Sequence, residues 1–297
     1  MKRIIMTGPT SMLGLALIDE CIKNNVKVYA IVRKNSSRKK RIPTNNLVHI
    51  IECDFNDFNN YNFEMLDYDA FYHFAWQGTS FMERNSNEIQ KYNIECSLKS
   101  IVLANKLKCH KFIGVGSQAE YGRKNHKIKT TDEVAPETEY GKAKLEAYHV
   151  TKKYAVENNI NHIWARVFSI YGKMDKNDTL ISMLIRGIQN EEKIKLTKCE
   201  QMWDYLYSAD AGEALYLIGE KGKKEKIYNV ASGNCKQLIE YVKIIEKCIG
   251  KKANIKYGAK PYSENQVMYL CGDISETTTD IGWKPKTSFE DGIKEII

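Results

Sequence analysis

The chain has 297 residues, 43% apolar and 28% charged, which excludes intrinsic disorder and allows a large core in one domain or two lobes. Basic residues number 45 against 37 acidic ones, for a formal charge of +8, yet the lysines are scattered rather than gathered in one tract. That pattern suits anionic small ligands and speaks against nucleic acid, for which no aromatic–basic interleaving is present.

At the N-terminus, residues 1–6 run straight into a glycine-bearing turn and are too few for the apolar core of a signal peptide. Nowhere do roughly 20 apolar residues succeed one another, so a cytoplasmic protein without contact to a membrane is expected. Short apolar runs rich in Ile, Val and Tyr lie at 2–6, 27–32, 48–51, 70–74, 111–115 and 162–168. Their near-continuous apolarity predicts strands covered on both faces. Helical patterns fall between them at 13–24, 87–106 and 140–157. This alternation predicts an α/β fold, a Rossmann doubly wound parallel sheet.

The second half reads as helices over 179–189, 209–217 and 237–249, with short strands near 194–196 and 227–230. There is no Pro/Ser-rich linker and no internal repeat. The expectation is a first domain over 1–168, to which parts of 200–235 return, and a smaller C-terminal substrate-binding lobe formed mainly by 169–297. Eight widely spaced cysteines without a C-x-x-C pair read as reduced, mostly buried thiols. Cys109-His110 is the one Cys/His neighbour pair, and two ligands do not make a zinc site, so no metal is expected.

The first predicted strand ends in Thr7-Gly8-Pro9-Thr10-Ser11-Met12-Leu13-Gly14, and a helical pattern follows at once. Such a turn aims backbone N–H groups and a helix N-terminus at a pyrophosphate, with Gly8 permitting the turn and Gly14 close helix–sheet packing. A site preferring NAD places an acid at the end of the second strand to hold the ribose 2′-OH. Here the chain reads Ala30-Ile31-Val32-Arg33-Lys34-Asn35-Ser36-Ser37-Arg38, with no acid in it. Arg33, Ser36, Ser37 and Arg38 are donors suited to a 2′-phosphate, which points to NADP(H).

Further along, Tyr140-Gly141-Lys142-Ala143-Lys144 opens a helical stretch, and Tyr140 and Lys144 share one helix face. A lysine ammonium beside a tyrosine favours the phenolate and draws its pKa toward working pH. These motifs, taken together over essentially the whole chain, resemble the extended short-chain dehydrogenase/reductase superfamily, in the branch of nucleotide-sugar epimerases, dehydratases and 4-ketoreductases. Thr7-Gly8 through Gly14 is similar to that family's T-G-x-x-G-x-x-G, and Asp54 resembles its adenine-contacting acid. His73-Phe74-Ala75 resembles the H-x-A segment beneath the cofactor. Gly116-Ser117-Gln118-Ala119-Glu120-Tyr121-Gly122 resembles the catalytic-serine segment, and Pro136 through Tyr140 and Lys144 the catalytic helix. Arg166-Val167-Phe168-Ser169-Ile170-Tyr171-Gly172 is similar to R-x-F-N-V-Y-G. Gln201-Met202-Trp203-Asp204 and Gly282-Trp283-Lys284-Pro285 are similar to Q-x-R-D and L-G-W-x-P.

The resemblance implies roles for individual residues. Ser117 hydrogen-bonds the substrate oxygen undergoing redox, Tyr140 transfers the proton, and Lys144 binds the nicotinamide ribose while lowering the tyrosine pKa. The implied cofactor shell is Thr7, Gly8, Thr10, Ser11, Met12, Leu13, Gly14, Arg33, Ser36, Arg38, Asp54, Phe55, Phe74, Ala75, Trp76, Asn93, Val115 and Val167, together with Tyr140 and Lys144. The implied substrate-binding residues are Gln77, Ser117, Gln118, Ser169, Leu180, Trp203 and Lys260, the substrate being a nucleoside-diphosphate sugar. Helices of the 87–106 and 140–157 type commonly build a four-helix homodimer interface in this superfamily, so a homodimer is the default.

Departures from the family sharpen this picture. Ser11 replaces the middle glycine of the loop, where it either sets the loop back from a phosphate or donates its hydroxyl to one. In the family's 4,6-dehydratases the two positions after the catalytic Ser/Thr are Asp and Glu, whereas here they are Gln118 and Ala119, which cannot shuttle protons. Trp203 stands for the usual Arg, Ser169 for the usual Asn, and Lys260-Pro261 where Arg-Pro-Gly is common. Trp203 offers a stacking face or fills the lobe's core. The resulting expectation is NADPH-dependent reduction of the C4 keto group of a nucleoside-diphosphate 4-keto-6-deoxy sugar, in deoxysugar or polysaccharide biosynthesis. The alternatives are a C4-epimerase that retains NAD and a non-catalytic NADP-binding protein; a reductase that also epimerises would need further acid–base groups, for which His126 and Cys199 are the candidates.

Overall fold

The structure, a computed structural model, describes residues 1–80 and 83–297. In chain order its first half runs β1 (Arg3–Thr7), α1 (Met12–Lys23), β2 (Lys27–Val32), β3 (Val48–Glu52), β4 (Ala70–His73), α2 (Asn87–Lys106), β5 (Lys111–Ser117), α3 (Glu139–Glu157) and β6 (Asn161–Val167). The second half runs β7 (Ser169–Tyr171), α4 (Leu180–Gln189), β8 (Ile194–Lys195), β9 (Met202–Tyr207), α5 (Ser208–Lys221), β10 (Ile227–Val230), β11 (Cys235–Gln237), α6 (Leu238–Ile249), β12 (Ile255–Lys256), α7 (Ser275–Ile281) and α8 (Phe289–Lys294). Short 3₁₀ turns follow β2, β3 and β5.

Seven parallel strands form the central sheet in the order β10-β6-β5-β4-β1-β2-β3. Each strand is apolar on both pleat faces because both faces are covered. In β1, Ile4 and Met6 point into a cluster with Leu17 and Ile18 of α1 and Ala211 and Leu215 of α5. Ile5 points the other way, with Phe71 and Phe112, against Ile101 and Ala104 of α2. The edge strand β3 is the exception, and its Ile50 is 44% exposed. Strand order reverses between β1 and β4, so the carboxyl ends of these two strands open the crevice where doubly wound sheets bind ligands.

The chain returns to this sheet once, when β10 adds in parallel to β6. The remaining elements build around a three-stranded sheet, β11-β9-β7, whose residues join Leu184, Val242, Ile245 and Ile293 of α4, α6 and α8 in a core of their own. No described helix is long and apolar enough to cross a membrane. All eight cysteines are free thiols, six of them buried.

Candidate active site

Between β1 and α1 the chain makes the tight turn expected of a phosphate loop. Gly8 adopts a φ of 69° and lies so close to the end of β4 that a Cβ would stand 2.6 Å from the Ala75 nitrogen. Only glycine meets both demands. Ser11 has a definite task in this loop: its hydroxyl accepts from the Gly14 N–H at 3.0 Å and donates to the Gly8 carbonyl at 2.9 Å. It is the N-cap of α1. The serine that departs from the family pattern therefore holds the helix N-terminus in place, and its hydroxyl is committed to the cap.

A cleft opens in front of this loop. It is lined by Thr7, Gly8, Thr10 and Ser11, by Arg33, Ser36 and Arg38 at the end of β2, and by Phe55, Phe74, Ala75, Trp76, Gln77 and Asn93. The sequence reading missed Cys53, Phe58, Tyr92 and Cys96, which form much of the apolar wall and belong to no motif. Other expected cofactor residues stand elsewhere. Asp54 does not line this cleft although its neighbours Cys53 and Phe55 do. Leu13 and Val167 are buried in the core beneath the sheet, Gly14 packs against the Gly8 carbonyl, and Met12 lines a separate groove with Arg41 and Lys173.

The cations at the end of β2 divide into two sets. Lys34 is paired with Asp57 and Lys39 with Glu52. Arg33 and Arg38 line the cleft and make no ion pair among the described residues. Glu52 is the acid in register with Val32, and Lys39 already neutralises it. A groove with a capped helix N-terminus, two uncommitted guanidinium groups and an apolar wall fits a pyridine dinucleotide.

Beneath the loop, His73 is buried and bonded through Nδ1 to the hydroxyls of Thr7 (2.8 Å) and Ser100 (3.0 Å), and through Nε2 to that of Ser97 (3.0 Å). Burial, with a smaller contribution from the charge of Lys144, lowers its pKa to about 3, so it is a neutral strut joining β1, β4 and α2.

Ser117 is the last residue of β5, and the chain turns there through a capping box. The Ser117 N–H donates to Glu120 Oε1 at 2.7 Å, and the Ser117 hydroxyl accepts from the Ala119 N–H at 3.2 Å. Glu120 is fully buried and receives Arg166 Nε at 2.7 Å and the Trp164 indole N–H at 3.1 Å. Its carboxylate is thus saturated with donors and serves as the anchor of the turn, a role unassigned in the sequence reading. Gln118 and Ala119 occupy the turn itself and bring no carboxylate to Ser117.

The helix α3 starts at the cap Thr138, whose hydroxyl accepts from the Gly141 N–H at 3.1 Å. A Cβ on Gly141 would stand 2.5 Å from the Ala119 carbonyl oxygen, so glycine lets the first turn of α3 press against the serine turn. This contact brings Tyr140 to Ser117. Burial raises the Tyr140 pKa, and the Arg84 charge and a hydrogen bond with Ser117 oppose that rise. One turn on, Lys144 is buried and its Nζ donates to the Val115 carbonyl at 2.7 Å. Burial lowers its pKa to about 7, against the pull of Glu120. The Trp76 ring covers the ammonium at 3.6 Å and meets the Tyr140 ring edge-on, with centroids 6.0 Å apart.

The expected relation between the two helix residues is modified here. Lys144 Nζ is 5.9 Å from the Tyr140 ring centre, whereas the Arg84 guanidinium carbon is 4.5 Å from it. The cation nearest the phenol ring is Arg84, from the segment after β4, where the sequence carries no motif.

Of the expected substrate residues, Gln77 lines the cleft and is clamped by Asn93, which receives its N–H and donates to its carbonyl, both at 2.9 Å. Ser169 and Trp203, two departures from the family pattern, are partners: the indole N–H donates to the Ser169 hydroxyl at 2.9 Å. Trp203 also packs on the core between β9 and α6, so one side chain fills the lobe and satisfies the serine. Leu180 begins α4 and packs partly buried on that core. Lys260 is exposed, its N–H held by the Leu196 carbonyl at 3.0 Å, and no described contact ties it to Ser117 or Tyr140. His126 pairs with Asp132 at the surface and Cys199 is buried in the α4–α6 core, so neither joins the site. No group of metal-ligating side chains occurs among the described residues, and His110 pairs with Asp67.

A serine, a tyrosine and a lysine gathered at the carboxyl edge of a doubly wound parallel sheet, beside a glycine loop, define the short-chain dehydrogenase/reductase class in its extended form. Within that class, the chain belongs to the NAD dependent epimerase/dehydratase family, which it matches over residues 4–231. It is 26% identical over 303 residues to a CDP-abequose synthase of Salmonella muenchen, covering 100% of this chain and 97% of that protein. It is 27% identical over 194 residues to a dTDP-4-dehydro-6-deoxyglucose reductase of Escherichia coli, covering 64% of this chain and 61% of the relative. In fold it is similar to a UDP-glucose 4-epimerase of Thermotoga maritima solved with UDP-glucose, with a TM-score of 0.87, 22% identity, and coverage of 99% of this chain and 96% of that one.

Proposed function

We propose that this protein reduces the C4 keto group of a nucleoside-diphosphate 4-keto-6-deoxy sugar at the expense of NADPH. The observation that carries this reading is the end of β2, where Arg33 and Arg38 line the cleft without ion pairs and the acid in register, Glu52, is bound to Lys39. Two free guanidinium groups select a 2′-phosphate, and NADPH is the form drawn on for net reduction. Similarity to a synthase and a reductase of deoxysugar nucleotides supports the substrate class.

On this reading, the loop from Thr7 to Gly14 holds the pyrophosphate and Arg33, Ser36 and Arg38 hold the 2′-phosphate. The bound nicotinamide supplies a hydride to C4. Tyr140 protonates the oxygen that becomes an alkoxide, Ser117 donates a hydrogen bond to the same oxygen, and the charge of Lys144 stabilises the phenolate left behind. Gln118 and Ala119 carry no acid–base group, so no water is eliminated across C5 and C6. The sugar lies toward Gln77, Gln118 and the Ser169–Trp203 pair.

The test is to mix the protein with NADPH and a panel of CDP-, dTDP-, GDP- and UDP-4-keto-6-deoxy sugars. NADPH absorbance should fall with one of them, in stoichiometric amount. A protein that purifies with NAD bound and interconverts two sugars without consuming NADPH would instead be a C4-epimerase.

A further inference from the structure

Two cations stand near the Tyr140 phenol, and they differ in how firmly they hold their charge. Lys144 lies beneath the Trp76 ring with its ammonium donated to the Val115 carbonyl. Arg84 comes from the segment between β4 and α2 and packs on the Tyr140 ring, its guanidinium carbon 4.5 Å from the ring centre. Among the described residues its buried Nε has no hydrogen-bond partner and Arg84 forms no ion pair. With no carboxylate paired to it there, its positive charge favours the phenolate beside it.

Of the other charged groups around Tyr140, Glu120, on the turn after β5, opposes the phenolate, although its pairing with Arg166 of β6 offsets part of its charge. Glu139, beside Tyr140 on α3, is paired with Lys142. Ser117 contributes a hydroxyl but no charge. Lys144 itself titrates near neutrality because burial lowers its pKa to about 7. Its field therefore fades as pH rises, whereas a guanidinium stays protonated.

We propose that Arg84 is a positioning residue for the proton transfer, the permanently charged group that stabilises the Tyr140 phenolate. This assignment rests on the reading of Tyr140 as the proton donor, and it is independent of which sugar is reduced. It adds to Lys144 a second cation, supplied by a different element and nearer the phenol ring.

The test compares wild type, Arg84→Gln and Arg84→Lys, with Tyr140→Phe as the blank. The phenolate absorbance of Tyr140 is isolated as the difference between each protein and the same protein carrying Tyr140→Phe, titrated with saturating NADP⁺. In Arg84→Gln the titration should move up by about one pH unit, and Arg84→Lys should recover most of that shift. With a substrate in hand, Arg84→Gln should lower kcat about tenfold while the NADPH dissociation constant and the melting temperature stay at wild-type values. An unmoved titration overturns the proposal, as does a rise in KM with kcat and titration unchanged, which would make Arg84 a substrate-binding group. If no sugar in the panel is reduced, the reductase reading fails while the titration still decides the role of Arg84.

Discussion

At the scale of single residues, the arrangement separates proton chemistry from cofactor choice. Tyr140→Phe removes the donor and leaves the cleft intact, since Tyr140 does not line it. Turnover should fall by about a hundredfold or more, with the NADPH dissociation constant, read by quenching of protein fluorescence, unchanged within about twofold. Arg33→Ala tests the other half. One charge-assisted contact to a 2′-phosphate contributes about 1.5–3 kcal/mol, so affinity for NADPH should drop about 10- to 100-fold while that for NADH stays put. Equal loss for both cofactors would show that Arg33 does not read the 2′-phosphate.

Single elements show how a departure from a family pattern is absorbed. Ser11 caps α1 through its hydroxyl, so Ser11→Ala should lower stability by about 1 kcal/mol, whereas Ser11→Gly, which restores the family residue, should cost only a few tenths. Calorimetric melting of the two variants separates them. The elements marked by continuous apolar runs or by clear helical spacing are legible in the sequence: β2, α2 and β10 fall at the predicted limits, and β1, β4, β5 and β6 within two residues. The strands β7 and β11 have three residues each, too few for any period to show. Strand β9 was missed because Asp204 sits in its middle, and only the structure shows that carboxylate taking the N–H groups of Ser232 and Gly233. The same limit applies to the site. Ser117, Tyr140 and Lys144 stand in recognisable motifs, whereas Arg84 and Glu120 matter through neighbours distant in sequence, Tyr140 for one and Arg166 for the other. The pairing of Ser169 with Trp203 was hidden for the same reason.

For the molecule as a whole, the central sheet is braced by neutral histidines. His73 ties β1 and β4 to α2, and His162 on β6 bonds the Thr151 hydroxyl of α3 at 3.0 Å. Burial lowers both pKa values to about 3. A histidine near 6.5 when unfolded binds its proton more readily in the unfolded chain, so the contribution of these groups is complete above about pH 6.5 and is lost as pH falls toward 3. The melting temperature should accordingly decline through that window, and His73→Gln should flatten part of the decline. The same sheet opens its crevice at the carboxyl ends of the paired strands β1 and β4 and brings β5 and α3 to its rim, which is where reduction at C4 would take place. That claim is tested most directly with NADPH deuterated at the transferable position of the nicotinamide and the sugar nucleotide found by the panel. The account predicts one deuterium per product molecule, bound at C4 of the sugar, with one NADPH consumed for each. Product formed without deuterium, or deuterium at any other carbon, would contradict it.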